Sequence, residues 1–561
     1  MRSRRALTAL VATALVLVLA ACTGLPTSGP VNVGREPTDA AEAPDFSFVP
    51  DRPQPGATAE QIVDGFVRAG SGPAGDWSRA RLFLTDSFRN QWDPTASVTI
   101  DVQGDRRATE NADDAVSLTL TSVANVDERG AYTLADSETT VLQFALVQED
   151  GEWRISAAPD GVVLDQDFFT RVYRPYSLMF FDPTWQYLVP DVRWFPPTNT
   201  LATVLTAELL NGPSPWLSGA VASAFPDSVS LEPRSVPVIS NVADVSFNTA
   251  ALDLDASTLS RMQTQLDATL ATATITAVEM TVGSTALPAE PQAVRSTSVS
   301  ASPLVLTGDD FGFLTGAELD PISGLSDAMM QVVPAPVAAQ VSPNRDFAAV
   351  RLAGEGVFRV DADGAVTALD TRPDLIDPTV DPFGYTWSVP RDAASTTVVF
   401  DEAGQPIPFP ATWSGASQIS AMSLSHDGAR LAVVITTGGR SATWVAGVVR
   451  DAKGVPLGLS AETLLLGPAV GRGVALTWLD NTTVGILSSD GDRSVVSTQR
   501  VGGPVTSTDA PVSAVSIAGA NQSTTVRLRG SDGALYIRRG SNWQQTASGI
   551  DVLATQQGQP Q

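Results

Sequence analysis

Val341-Ser-Pro-Asn-Arg345 runs into Phe347-Ala-Ala-Val-Arg351, and the same arrangement returns three times. Val380-Asp-Pro-Phe-Gly384 precedes Tyr385-Thr-Trp-Ser388. Leu424-Ser-His-Asp-Gly428 precedes Arg430-Leu-Ala-Val-Val434. Leu476-Thr-Trp-Leu-Asp480 precedes Thr483-Val-Gly-Ile-Leu487. Each unit couples a turn-forming cluster to a short apolar run, the pattern of a strand, a tight turn and a returning strand. The units recur about every 40 to 55 residues, the period of a four-stranded propeller blade. Residues 295–555 therefore predict an all-β propeller of roughly six blades, with 556–561 left as a tail. Asp363-Gly364, Asp427-Gly428, Asp490-Gly491 and Asp532-Gly533 read as hairpin turns between its strands. The competing architecture is a pair of β-sandwiches with coincidental Asp-Gly turns.

Upstream the pattern changes. Leu201, Val204, Leu205 and Leu209 share one helical face, and Asn211-Gly212-Pro213 ends the helix. Strands are predicted near 229–231, 236–239 and 243–247. A second amphipathic helix follows through Leu259, Met262, Leu266 and Leu270, and a closing strand runs over 275–282. This predicts a small α+β domain over 170–290. Its entry is unusually aromatic, from Phe168 through Tyr176, Phe181, Trp185 and Tyr187 to Trp194 and Phe195. Such a run serves either as core strands with an interdomain seam or as a binding platform. Strand-like stretches at 178–181 and 188–192 favour the first.

A further α+β domain is predicted over 57–165. Thr58-Ala-Glu-Gln61 is a capping-box pattern, followed by Ile62, Val63, Phe66 and Val67 on one helical face. A second helix is expected from Trp77 to Leu84. Alternating strands come next, ending in a hairpin turned by Glu149-Asp-Gly151. Helices followed by a curved antiparallel sheet are similar to the cone fold of nuclear transport factor 2.

The amino terminus carries the covalent chemistry. Arg2, Arg4 and Arg5 precede an apolar run that ends in Leu19-Ala20-Ala21-Cys22. Residues 1–21 read as an export signal, whose apolar run of about 14 residues is too short for a permanent membrane span of about 20. Cys22 is the only cysteine of the chain. Leu-Ala-Ala-Cys resembles a bacterial lipobox, which implies an N-palmitoyl, S-diacylglycerol cysteine at Cys22. Residues 22–56, rich in Pro, Gly and Ala, then read as the lipidated start and a flexible tether.

Composition narrows the function. The formal net charge is −26, so the body repels nucleic acid and anionic headgroups. A lipid anchor rather than surface charge would hold it at a membrane. With one cysteine and one histidine, no zinc site built from several imidazoles or thiolates can form. No cofactor, metal or catalytic residue is expected. His426 lies in a turn, where a turn role outweighs general-base catalysis. Asp361/Asp363 lack the remaining ligands of a calcium loop. Asp253/Asp255 and Asp309/Asp310 are carboxylate pairs that glycosidic cleavage could use only at a defined separation. Gly438-Gly439 and Gly502-Gly503 lack the Lys-Ser/Thr of a phosphate loop.

Leu209-Leu-Asn-Gly-Pro-Ser214 followed by Ser223-Ala-Phe-Pro226 resembles a GerMN domain. With the lipobox before it and the propeller pattern after it, the whole chain resembles the actinobacterial LpqB lipoprotein family. The resemblance implies a non-catalytic accessory of the MtrA–MtrB two-component system, touching the extracytoplasmic domain of the sensor kinase MtrB. It also implies a place on the outer face of the cell membrane and a role in envelope homeostasis and division. The alternative from a different class is a glycan-binding protein or carboxylate-dependent hydrolase that uses the propeller channel.

Overall fold

The computed structural model describes residues 50–560, apart from 112–113, 408, 411–412 and 414. Cys22 and the tether as far as residue 49 lie outside the described residues.

The first layer is a helix laid on a curved sheet. Thr58 and Gln61 close the predicted capping box: the Thr58 amide donates to Gln61 Oε1 (3.0 Å) and the Gln61 amide to Thr58 Oγ1 (3.3 Å). Helix Ala59–Ala69 turns Ile62, Val63 and Phe66 inward. The long strand Ala115–Asp127 alternates buried and open positions almost without fault, so Val116, Leu118 and Leu120 meet that helix from the other side. Each such side chain contributes roughly 1.5–3 kcal/mol on burial. The helix expected from Trp77 to Leu84 is absent. A 3-10 turn, Ala80–Phe83, stands there. Asp76 and Trp77 take positive φ angles of 57° and 52°, which no helix tolerates.

A two-stranded antiparallel hairpin, Arg174–Phe181 with Leu188–Phe195, leads into the second α+β unit. Helix Leu201–Leu210 stops where predicted; Gly212 supplies the left-handed turn (φ 88°) after it. Helix Ala256–Ala271 lies against the hairpin, its Gln265 donating to the Met179 carbonyl (2.8 Å) and its Thr269 hydroxyl accepting the Met179 amide (3.0 Å). Strand Val242–Ser246 pairs parallel with Ala277–Val282. The strand expected at 229–231 is reduced to one bridge between Leu231 and Phe247.

The remainder is a β-propeller. Four separate four-stranded sheets occupy 379–407, 418–468, 472–510 and 514–547. A fifth sheet has eight strands. In it the C-terminal strand Ile550–Gln556 pairs antiparallel with Leu304–Thr307 and parallel with Pro336–Val341. The last strand of the chain thus completes the group begun by the first, and the ring is closed by hydrogen bonds between its two ends. Gln557, beyond that strand, is buried and donates its amide to the Val341 carbonyl (2.9 Å).

Candidate ligand channel and interdomain seam

The sheets surround a central channel with a cavity of about 230 Å³. Its wall comes from the first strand of each sheet and from the closing strand. Small hydroxyl residues line it: Ser420, Ser423, Thr477, Ser516 and Thr555, with Gln340 among them. The Ser516 hydroxyl is shielded from solvent and has no hydrogen-bond partner among the described residues. Two cations reach the channel. Arg351 is paired with Asp377 (2.7 Å). Arg529 donates Nε to the Ile550 carbonyl (2.8 Å), and among the described residues its side chain forms no ion pair. Burial pushes its guanidinium below the ordinary arginine value, with Asp551 and Asp532 opposing.

Toward the other end the channel narrows into a smaller cavity lined by His426, Arg527, Gln556 and the linker residues Val299, Ser300 and Ser302. That linker is strapped down. The Val299 amide donates to Asn521 Oδ1 (2.6 Å), and Asn521 Nδ2 donates back to the Val299 carbonyl (2.6 Å). Arg527 donates to the Ala301 carbonyl. His426 sits beside this strap with Nδ1 donating to the Gln557 carbonyl (3.1 Å). Burial lowers its pKa from the ordinary imidazole value.

The candidate acids are engaged elsewhere. Asp255 caps helix Ala256–Ala271, and the hydroxyls of Ser257 and Thr258 hold its pKa well below the usual carboxylate range. Asp253 belongs to a 3-10 turn. Asp310 accepts the Phe311 amide (2.7 Å), and Asp309 is exposed. Asp361 holds Arg359 (2.8 Å), while Asp363 accepts the Ala365 amide (3.0 Å). Gly438-Gly439 is a hairpin turn between two strands. The structure brings none of these pairs into the channel, whose one lining carboxylate among the described residues is Asp377. Two-carboxylate hydrolysis has no assembled site there.

The aromatic stretch forms a seam. Trp194 packs on Phe169 (4.9 Å between ring centroids) and Tyr132 (6.4 Å) of the first domain. Its Nε1 reaches across to donate to the Gly502 carbonyl of the propeller (2.6 Å). Gly502-Gly503 is thus a turn that receives a neighbouring domain. Tyr187 meets Phe383 edge-on (5.9 Å), and Arg450 stacks over the same ring (4.8 Å). Val189, Trp216 and Leu217 join a propeller core cluster with Trp478 and Ile486. Beneath them Asp191 and Arg193, each 1% exposed, form a buried ion pair (2.9 Å). Asp191 also accepts the amide (2.7 Å) and hydroxyl (2.8 Å) of Ser214, and Arg193 donates to the Arg129 carbonyl (3.0 Å). Arg129 in turn pairs with Glu208 (2.9 Å). One polar chain therefore ties the first domain to the second, and Trp194 ties both to the propeller.

Neither the channel cations nor this polar chain stands out in the sequence. Arg351 is a single charge in an apolar strand, Arg529 sits in the short strand Arg527–Gly530, and Asp191 and Arg193 are ordinary alternating residues of one strand.

Among known proteins, the Lipoprotein LpqB N-terminal domain matches residues 52–170. A family described as sporulation and spore germination, Germane, matches 177–287. The Lipoprotein LpqB beta-propeller domain matches 309–553. Lipoprotein LpqB of Cutibacterium acnes is 31% identical over 265 residues, 47% of this chain and 43% of that protein. Lipoprotein LpqB of Mycobacterium paratuberculosis is 35% identical over 219 residues, 37% of this chain and 35% of that protein. The matched part of the chain thus spans less than half the length of either relative. Among solved structures, TolB from Acinetobacter baumannii aligns over 44% of this chain and 64% of its own, with 12% identity and a TM-score of 0.33. The beta-propeller domain of Myceliophteria thermophila Cps50 (Swd1) aligns over 37% and 70%, with 10% identity and a TM-score of 0.27. No helix among the described residues is long and apolar enough to cross a membrane.

Proposed function

The chain belongs to the LpqB lipoprotein family, and we propose that it is a non-catalytic accessory of a sensor histidine kinase, tethered to the cell membrane through Cys22. In this reading residues 1–21 are removed on export. Cys22 carries the N-palmitoyl and S-diacylglycerol groups, and 22–56 spaces the body from the outer face. Residues 57–165 act as a nuclear transport factor 2-like module, 170–290 as a GerMN-like module and 295–555 as a propeller of six blades. The blade count takes the eight-stranded sheet as two blades joined where Ile550–Gln556 meets Pro336–Val341. The partner is the extracytoplasmic domain of an MtrB-like kinase, and the output is envelope homeostasis and division.

The observation that supports this reading is the seam. Buried charges and aromatics hold three modules as one piece, so their outer surfaces keep fixed relative positions. Pre-organised surface is what recognition needs, because less ordering is lost on binding.

The test is capture of a sensor-kinase ectodomain by the full-length protein in detergent; absence of binding to any such ectodomain overturns the partner assignment. The anchor is tested separately. Cys22→Ala is expected to move the protein from the detergent-requiring membrane fraction to the soluble fraction. Retention that still needs detergent would show that the lipid is not the anchor.

A further inference from the structure

We propose that the propeller channel is a binding site for an anionic carbohydrate, a sugar bearing a carboxylate or a phosphate. This inference does not depend on the kinase reading. Three observations carry it.

The first is charge. The chain has 61 acidic against 35 basic residues, yet the lining of the channel and its narrow end holds three arginines (Arg351, Arg527 and Arg529) against one carboxylate, Asp377. The lining is thus richer in cations than the chain as a whole, with Asp551 and Asp532 near Arg529 from outside it. A concave site with low-dielectric walls focuses such a field on a ligand of opposite charge. Arg351 is neutralised by Asp377, and Arg527 is turned to backbone carbonyls. Arg529 spends its Nε on the Ile550 carbonyl and is the cation best placed to take an anionic group.

The second is the density of hydroxyls. Ser420, Ser423, Thr477, Ser516 and Thr555 can each donate and accept, which matches the hydroxyls of a sugar. Ser420 and Thr477 also donate to the Val434 and Trp478 carbonyls (3.4 Å each), and an apolar ligand would leave the other hydroxyls facing it without a partner.

The third is unspent bonding capacity. Ser516 Oγ is buried without a partner, although nearly all buried polar atoms in folded proteins have one. The narrow end, where Val299 and Ser302 line the wall beside His426, gives the site a floor.

The experiment is calorimetric titration of the full chain in detergent with glucuronic acid, glucose 6-phosphate, glucose and inorganic phosphate, up to about 10 mM. At least one charged sugar is expected to bind tenfold or more tighter than both glucose and phosphate. Arg529→Gln should weaken that binding at least tenfold, and Ser516→Ala a few-fold. Arg493→Gln removes the same charge from an exposed ion pair with Asp509 and should change nothing. If neither charged sugar binds, if glucose or phosphate binds as tightly, or if Arg529→Gln binds like the parent, the proposal is overturned. A variant that fails to fold is recognised by loss of cooperative melting; Arg529→Lys then replaces it, and here too unchanged affinity and selectivity for the charged sugar counts against the site.

Discussion

The seam and the channel use polar and aromatic groups in opposite ways. At the seam every striking side chain is spent. Trp194 has two ring neighbours and a hydrogen-bond acceptor, and Asp191 binds both Arg193 and Ser214. In the channel, by contrast, Ser516 and the guanidinium of Arg529 keep capacity in hand. Residues that look like recognition chemistry in the sequence are structural, and plain Ser and Thr in strands form the open site. Satisfaction of hydrogen-bonding capacity, rather than residue type, separates a joint from a binding surface.

The sharpest way to break this contrast is Asp191→Ala. It leaves Arg193 buried without its counter-ion and removes the acceptor of the Ser214 amide and hydroxyl. Removing one partner of a buried pair costs about 3–5 kcal/mol. Chemical denaturation should show a loss of that order, or a separate early transition as the domains part. A loss below about 1 kcal/mol would mean that the pair behaves like a surface ion pair and that the seam is not a rigid joint.

Trp194→Phe is a gentler cut. The ring packing on Phe169 and Tyr132 is largely kept, while the bond to the Gly502 carbonyl is lost. The expected cost is about 1 kcal/mol. Hydrogen exchange should rise around Gly130 and Gly502, since the Trp194 amide also donates to the Gly130 carbonyl (2.8 Å). Faster exchange spread through the first-domain core instead would place Trp194 in that core rather than at the joint.

How far the sequence revealed this can be followed residue by residue. The capping box at Thr58 and Gln61 was legible because it is local: four consecutive residues contain both hydrogen bonds. The four recurrent starts at Val341, Val380, Leu424 and Leu476 were legible as a repeat. All four fall at the turn between the first and second strands of a four-stranded group. The Asp-Gly pairs are a weaker signal. Asp363-Gly364 joins a third strand to a fourth, Asp427-Gly428 a first to a second, and Asp490-Gly491 and Asp532-Gly533 a second to a third. Their common feature is only the positive φ that glycine allows in a tight turn, from 72° to 105°. Ser516 and Arg529 face each other across one antiparallel strand pair, and only closure of the ring brings Arg351 of another sheet to the same lumen, which made the channel illegible. The failed helix at Trp77 has a different cause. Spacing of apolar residues suits a helix there, but the positive φ angles of Asp76 and Trp77 break it, and periodicity carries no record of that.

His426 sharpens the comparison at its smallest scale, because it stands where the strap meets the channel floor. Burial is the largest influence on its pKa and lowers it; the Gln557 carbonyl, Asp427 and Asp480 oppose, and Arg430 adds to the lowering. Between the depressed folded value and the unfolded value of about 6.5, the unfolded chain holds a proton that the folded one lacks. Stability therefore falls as the pH drops below about 6.5, by at most about 1.4 kcal/mol per pH unit for one proton, until the folded imidazole titrates in turn. His426→Gln should flatten this part of the profile when it is compared with the parent between pH 7 and 5. Because the chain has a single histidine, nuclear magnetic resonance reads its titration without ambiguity. A folded imidazole that titrates at or above its ordinary value would mean that the narrow end is open to water, and that the floor resembles the channel mouth more than the packed seam.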